Sequence, residues 1–283
     1  MSRSIVEKLV ARPSSDGDGV KLLRVFGGSR PQRFDPFLLM DEFGSDEAAD
    51  YIGGFPPHPH RGFETITYML QGKMEHQDHI GNVGLLNDGD VQWMTAGKGI
   101  IHSEMPKQTE GKMRGFQLWL NLAADEKLKP ASYQDVDGST LPVAETDAAS
   151  FKFIAGVVTI DGLAYKGAID SGKTEAVLAD VELNPGQSIQ LAVAEGHNVM
   201  LYGYEGELSI GAQYTPLHAH ELARLSEQGD VLINNAGDSA AKLMMIAGKP
   251  LAEPIAQYGP FVMNTMDEIN QALADYREGT LTA

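Results

Sequence analysis

The chain has 283 residues, no cysteine and a formal net charge of −17. Because cysteine is absent, disulfides, thiolate metal ligands and a cysteine nucleophile are excluded. The negative charge repels a phosphate backbone at long range, so direct nucleic-acid binding is not expected.

The composition is that of an ordinary globular protein, with 42% hydrophobic and 22% charged residues. No stretch approaches the roughly 18 consecutive apolar residues of a membrane span. The first residues, 1–8, lack the apolar core of a secretory signal. We therefore predict a cytoplasmic protein with no membrane partner, built as one large or two modest domains.

Short β-rich runs alternate with Gly, Asn and Asp turns through the first half of the chain. The predicted strands are 20–26, 64–70, 73–78, 90–94 and 115–121. An apolar segment of undetermined type, 33–44, lies between the first two of them. Many short strands at regular intervals favour a β-barrel or a β-sandwich.

Two pairs of metal-ligating residue types lie within this β-rich half. His58 and His60 are one residue apart, and so are His102 and Glu104. Side chains alternate faces along a strand, so each pair points to one side of its strand. Two such strands facing each other would bring three imidazoles and a carboxylate together. We predict a mononuclear site for Fe(II), Mn, Co, Ni, Cu or Zn, the alternative being surface histidines in turns.

Other histidines are weaker candidates. His76 and His79 are three residues apart, so on extended backbone they face opposite ways, and we predict that both are solvated hairpin residues. A second His-x-His pair, His218 and His220, falls in a predicted loop and is expected to be solvated or to pack.

Several neighbours of the predicted site have open roles. Glu64 could be a fifth ligand, an acceptor that orients an imidazole, or an ion-pair partner of Arg61; we favour the second role. Lys98, flanked by two glycines, belongs to a predicted tight turn that presents His102. Five apolar side chains are either core residues or the lining of a pocket around the metal: Phe55, Phe63, Met69, Trp93 and Phe116.

The second half repeats landmarks of the first. Residues 67–74 resemble 201–208, and residues 89–97 resemble 229–237, in the same order. Residues 123–150 are polar and are predicted to connect two copies of one β-fold. Counting from these landmarks places Ala192, Ala194, Lys242 and Met244 where the first half has its four ligands. We therefore expect one metal per chain.

The tail predicts one short helix. Thr265 is a suitable N-cap with Glu268 three residues later, and Met266, Ile269 and Leu273 have helical apolar spacing. Gly279 is expected to end it.

The motifs resemble those of the pirin family within the cupin superfamily. The resemblance rests on segments 34–38, 58–65, 89–106, 117–122 and 259–265. It implies a mainly all-β fold of two tandem cupin-type β-barrels with a short C-terminal helix. The first barrel, 1–130, would hold one iron-type metal through His58, His60, His102 and Glu104. The second, 131–283, would lack metal ligands and end in the helix.

The resemblance also implies two functions. Some pirins are similar to flavonol (quercetin) dioxygenases, which open the heterocyclic ring with O2 and release carbon monoxide. Glu104 would then double as the base that takes the flavonol hydroxyl proton. The alternative is a metal- or redox-dependent regulatory protein that binds a transcription factor or a metabolic enzyme, for which an acidic surface suits a protein partner. A purely structural cupin would require the four ligands to be accidental.

Overall fold

The computed structural model describes residues 2–28 and 33–283. These residues form 26 strands and one α-helix, which confirms the predicted all-β class. Within the described ranges, no helix is long and apolar enough to span a membrane. Four short 3-10 turns complete the regular structure, at Ala48–Asp50, Ala124–Glu126, Gly138–Thr140 and Gly172–Thr174.

The strands gather into two compact units, each built from two separate chain segments. One, the histidine unit, comprises Arg12–Ser139 and Leu251–Ala283. The other, the apolar unit, comprises the chain up to Ala11 together with Thr140–Pro250. This division differs from the predicted single boundary at residue 130, because Leu251–Ala283, which includes the terminal helix, clusters with the first β-fold.

Two open sheets build the histidine unit. The larger sheet is antiparallel, and its seven strands in spatial order are Ser132–Val136, Val91–Thr95, Phe63–Gln71, Met113–Asn121, Phe37–Ser45, Val20–Phe26 and Arg12–Asp16. The smaller sheet has four strands, in the order Phe55–His60, Ile100–Pro106, Met74–Asp78 and Val83–Leu86. A hairpin of two further strands consists of Ala256–Tyr258 and Phe261–Met263.

Among the described residues, neither hydrogen-bonded ladder of the histidine unit returns to its first strand, so its sheets are not closed barrels, although the predicted all-β class is confirmed. The two sheets instead pack face to face. Leu22, Phe43 and Met69 of the larger sheet are buried against Met74 and Leu86 of the smaller one. Burying each such side chain contributes about 1.5–3 kcal/mol. Packing of apolar faces, and not ladder closure, therefore holds the two sheets together.

The apolar unit also has two sheets. The seven-stranded sheet consists of Ile5–Val10, Glu221–Leu225, Asn198–Glu205, Ala241–Gly248, Val177–Leu183, Ala149–Ala155 and Val143–Glu145. The six-stranded sheet consists of Leu163–Lys166, Val157–Ile160, Ser188–Ala192, Val231–Asn234, Glu207–Ile210 and Thr215–His218. An apolar core that includes Phe151, Leu201 and Met245 lies within this unit.

The strand order supports the internal repeat but corrects its residue correspondence. In the smaller sheet of the histidine unit, His60 pairs with Ile100 and His58 pairs with His102. The corresponding strands of the apolar unit pair Leu191 with Val231 and Ile189 with Ile233. Three buried apolar side chains thus replace the three histidines: Ile189, Leu191 and Ile233.

The predicted equivalents of the ligands, Ala192, Ala194, Lys242 and Met244, are therefore wrong. The strand Ala241–Gly248, which carries the last two, lies in the larger sheet, whereas His102 lies in the smaller one. The error arose because Gly229 was matched to Gly89, which precedes the strand Val91–Thr95. The strand after Gly229, Val231–Asn234, corresponds instead to the next strand of the histidine unit, Ile100–Pro106. Both residues have a positive φ, which glycine adopts without strain, so the sequence alone could not distinguish them.

The terminal helix spans Met266–Arg277 and has the predicted ends. Thr265 and Glu268 form a reciprocal capping box, and Gly279 follows the helix with φ of +73°. Ile269 is buried against Phe261 in a small apolar cluster of the histidine unit. The helix is therefore an integral part of that unit.

A buried lysine ties together three parts of the histidine unit. Lys127 is 1% exposed, and its Nζ donates to the carbonyl oxygens of Gly62 and Val262 and to Oδ1 of Asn121. The three distances lie between 2.7 and 3.0 Å, so all three ammonium protons have an acceptor. Burial lowers the pKa of Lys127 to about 8.

Candidate metal centre

Three histidines meet on the inner face of the smaller sheet. His58 and His102 stand directly opposite each other on neighbouring antiparallel strands, and His60 lies two residues along from His58. One ring nitrogen from each of the three lies within 4.8 Å of the others. The strand alternation that predicted this arrangement is therefore the geometry that produces it.

The turn before His102 has the predicted shape. Gly97 has a φ of +51°, and a Cβ there would lie 2.0 Å from the carbonyl oxygen of Lys129. The Gly97 carbonyl accepts a hydrogen bond from the backbone N–H of Gly62, two residues after His60. The turn thus holds the ends of both histidine strands together.

The electrostatics of the cluster keep two of its imidazoles, those of His60 and His102, neutral. His60 and His102 are each 2% exposed. Burial lowers the pKa of both well below its usual value, and the neighbouring His58 ring lowers both further. Neutral imidazole is the form that binds a metal ion.

The donor atoms fit a divalent transition metal. Nε2 of His58 lies 3.0 Å from Nε2 of His60. Both ring nitrogens of His102 are buried without a hydrogen-bond partner among the residues that the structure describes. Buried nitrogens of this kind need a partner, and a metal ion bound by imidazoles would supply one. These three residues could therefore hold a metal.

The fourth predicted ligand, Glu104, has different neighbours. It is buried, and its Oε1 accepts a hydrogen bond of 3.2 Å from the Thr67 hydroxyl. The same oxygen lies 3.5 Å from Nε2 of His76. Glu104 is not within the group formed by the three histidines, although it lines the same cavity as His58 and His60. Its role as a ligand remains a prediction.

His76 was missed by the sequence analysis. It was predicted to be solvated, but it is 4% exposed and stands directly opposite Glu104 on the neighbouring strand. Its ring centroid is 6.0 Å from that of His102. Its position two residues after the buried Met74 was the available clue, because residues i and i+2 share a face. His79, in contrast, is exposed as predicted.

Among the described residues, Glu64 has no hydrogen bond or ion pair with a histidine or with Arg61. Its carboxylate accepts hydrogen bonds from Nε1 of Trp93 at 2.9 Å and from Oγ1 of Thr95 at 2.6 Å. Glu64 is three residues before Thr67, whose hydroxyl reaches Glu104. Residues an odd number apart on a strand point to opposite faces, so Glu64 faces away from the cluster.

The predicted pocket residues also divide between the two faces of the larger sheet. Trp93 and Phe116 pair with Ile66 and Tyr68, which share the face of Glu64, so neither faces the cluster. Met69 lies on the inner face but belongs to the apolar core between the sheets.

Phe55 and Phe63 do lie near the histidines. Phe55 lines the cavity, and the ring of Phe63 makes an edge contact with His60 at 5.0 Å. Trp119, which the sequence analysis did not single out, contacts His60 at a centroid distance of 5.5 Å and also lines the cavity.

The cavity has a volume of about 780 Å³ and opens over His58, His60 and Glu104. This volume is typical of sites for drug-sized molecules. One part of its wall is apolar, with Phe43, Phe55 and Trp119. Another part of the wall is polar and includes the ion pair of Arg24 and Asp41. Nε and Nη2 of Arg24 donate hydrogen bonds to the two carboxylate oxygens of Asp41 at 2.9 and 2.8 Å. The arrangement suits a flat aromatic molecule that carries hydroxyl groups.

Arg61, the residue after His60, joins the cluster to the terminal helix. Its Nη1 binds Asp275 at 2.6 Å, and its Nη2 donates to the carbonyl of Leu281 at 3.1 Å. Its Nε donates to the carbonyl of Lys98, in the turn before His102. The Arg61 guanidinium also holds the pKa of Asp275 below its usual value. One side chain thus connects both histidine strands to the helix.

We expect Asp275→Asn to weaken metal binding, because it removes the charge partner that fixes Arg61 between the two strands. Residues that orient metal ligands typically change affinity by about 10-fold to 100-fold, and we expect the lower end of that range. A chelator competition titration would measure it, with the exposed Arg277→Gln of the same helix as control. A variant with a lower melting temperature but unchanged metal affinity would show that the contact is structural only.

The comparisons with known proteins agree on one family. Residues 19–120 match the family model described as Pirin, and residues 178–282 match the Pirin C-terminal cupin domain. The chain is 51% identical over 282 residues to the "Putative quercetin 2,3-dioxygenase" of Pseudomonas aeruginosa, covering 99% of this chain and 98% of that protein. It is 44% identical over 278 residues to a protein of the same name from Vibrio cholerae, covering 98% and 97%.

A solved structure gives the same result for the fold. The crystal structure of quercetin 2,3-dioxygenase from Acinetobacter baumannii superposes with a TM-score of 0.89 at 32% sequence identity. The match covers 100% of this chain and 99% of the other. The family predicted from the motifs is confirmed: the chain belongs to the pirin family of two-domain cupin proteins.

Proposed function

We propose that this chain is a mononuclear metal dioxygenase that cleaves a flavonol of the quercetin type. The observation that carries the proposal is the cluster of His58, His60 and His102 beside a cavity with an aromatic wall. The relative from Pseudomonas aeruginosa supports it, because 51% identity extends over 99% of this chain. The substrates would be the flavonol and O2.

The proposed metal ligands are the three histidines and Glu104, and Fe(II) is the preferred ion. Imidazole and carboxylate donors also suit Mn, Co, Ni, Cu and Zn, so the donor set does not select iron by itself. When bound, the metal would supply a Lewis acid and a template for the substrate's 3-hydroxyl oxygen and for O2.

Glu104 is the proposed base for the 3-hydroxyl proton. Its carboxylate lines the cavity and is 2% exposed. The Thr67 hydroxyl donates to Oε1 at 3.2 Å, and the side chain of Gln117 lies 2.9 Å from that hydroxyl. These contacts fix one carboxylate oxygen, so that proton transfer starts from a defined position.

The cavity wall would hold the rings of the substrate. Trp119 packs against both His60 and Phe63, at centroid distances of 5.5 and 4.5 Å. A flat aromatic substrate can stack on such side chains, and the apolar wall excludes water from the reacting atoms.

The direct test is oxygen uptake on adding quercetin to protein loaded anaerobically with iron. We expect uptake together with release of carbon monoxide, and loss of both when the metal is removed by a chelator and restored when it is returned. Uptake that is unaffected by metal removal would contradict the proposal. Metal-loaded protein that takes up no oxygen would also contradict it, and would favour the regulatory alternative.

A further inference from the structure

A second cation lines the cavity in addition to Arg24. Arg24 is neutralised in place, because its guanidinium binds Asp41 through two hydrogen bonds and Asp16 through a third. Arg33 lines the same cavity, but its Nη2 donates only to a neutral acceptor, Oε1 of Gln257, at 2.7 Å. Among the described residues, Arg33 forms no ion pair with a carboxylate.

The guanidinium of Arg33 is nevertheless held in place and partly removed from water. Its Nη1 is buried and has no hydrogen-bond partner in the described part of the chain. The Gln257 side chain that binds it is itself fixed, because its Nε2 donates to the carbonyl of Gly259 at 3.3 Å. The two arginines also differ in pKa: the hydrogen-bonded Asp41 raises the pKa of Arg24, whereas burial lowers that of Arg33.

A partly buried cation without a counter-charge is costly, so its position calls for an explanation. Guanidinium groups bind planar anions through paired hydrogen bonds, and these are stronger than neutral ones. Gln257 and Gly259 belong to the segment that also includes Pro260, whose carbonyl accepts from the N–H of Arg61, next to His60. One cavity therefore offers an anion-binding group and the histidine cluster to the same molecule.

We propose that the cavity is selective for anionic substrates, with Arg33 binding a negatively charged group remote from the oxygen that meets the metal. The proposal rests on the proposed function of the same cavity and adds a substrate class to it. The matching molecules are hydroxylated aromatics whose far end carries a phenolate, sulfate or carboxylate. Arg33 is a specificity-determining residue in this scheme and takes no part in the chemistry.

The test is direct binding, measured by calorimetry with the metal-loaded protein under anaerobic conditions. The probes are quercetin 7-sulfate and quercetin 4′-sulfate, each compared with the neutral methyl ether at the same position, all with a free 3-hydroxyl. We expect one sulfate to bind at least about tenfold more tightly than its methyl ether, as a charge-assisted hydrogen bond implies.

Variants separate the charge of Arg33 from its packing. Arg33→Met should remove the preference for the sulfate, Arg33→Glu should reverse it, and Arg33→Lys should restore part of it. The control Arg12→Met removes the same charge from an exposed position and should preserve the preference. Equal affinity for sulfate and methyl ether in the wild type would overturn the inference. An equal loss of affinity for both ligands in Arg33→Met would also overturn it.

These outcomes are independent of the oxygen-uptake experiment, because binding does not require turnover. A sulfate preference that depends on Arg33, in a protein without dioxygenase activity, would support the anionic ligand class and contradict only the proposed reaction. Turnover without such a preference would support the proposed reaction and contradict the anionic ligand class.

Discussion

Replacing His102 with alanine is expected to reduce metal binding by more than about 100-fold and to reduce flavonol turnover to the background rate. His102 contributes one of three clustered ring nitrogens, and both of its own nitrogens are without a hydrogen-bond partner within the described residues. Loss of a residue that only orients a ligand costs about 10-fold to 100-fold in affinity, so loss of the ligand itself should exceed that range. Metal content by mass spectrometry and oxygen uptake would measure the two effects.

The matched control for His102→Ala is His79→Ala. His79 is exposed and its Nδ1 accepts a 3.4 Å hydrogen bond from the N–H of Ile101, next to His102. We expect this variant to retain metal and activity, because its ring points away from the cluster. Full metal binding in His102→Ala, or equal losses in the two variants, would contradict the assignment of the centre to the three histidines.

Replacing Lys127 with methionine is expected to lower the free energy of unfolding by on the order of 3 kcal/mol at neutral pH. Methionine fills similar space but leaves the acceptors of Gly62, Asn121 and Val262 unsatisfied, and each buried unsatisfied group costs about 1–3 kcal/mol. Part of the loss is offset because a buried charge is removed. Urea unfolding of the two proteins would measure the difference.

The pH dependence of that difference has a definite sign. In the folded protein the pKa of Lys127 is lowered to about 8, from 10.5 for an unperturbed lysine. Between these values the unfolded chain binds the proton that the folded protein has lost, so stability rises with pH. The wild type should therefore gain stability relative to Lys127→Met from about pH 8 to about pH 10.5. A difference that stays constant or shrinks over this interval would contradict a lowered pKa of Lys127 in the folded protein.

The cluster of three histidines was predictable from the sequence, because it depends only on the alternation of side chains along a strand. His58, His60 and His102 come together through alternation on two neighbouring strands. The same rule, applied more widely, would have found His76, which shares the face of Met74, and would have excluded Glu64, which lies three residues before Thr67. The error on His76 came from treating the residues around it as a solvated hairpin.

Other features depend on contacts between distant segments, which no local pattern contains. The capping box of the terminal helix was predicted correctly, because Thr265 and Glu268 are three residues apart. The packing of the helix within the histidine unit was not predicted, because it depends on the contact between Asp275 and Arg61, which are more than two hundred residues apart. Arg33 could not be singled out either, because its significance lies in the absence of an ion pair with a carboxylate among the described residues.

The division of each unit between two chain segments has a consequence for synthesis on the ribosome. Domains usually begin to fold in order from the N-terminus as the chain emerges. Here the strand Ile5–Val10 must wait for its partner Glu221–Leu225, and Arg61 must wait for Asp275. Neither unit can be completed until these later segments have been synthesised. The nascent protein therefore carries its three histidines without the helix that Arg61 contacts until that helix has also been made.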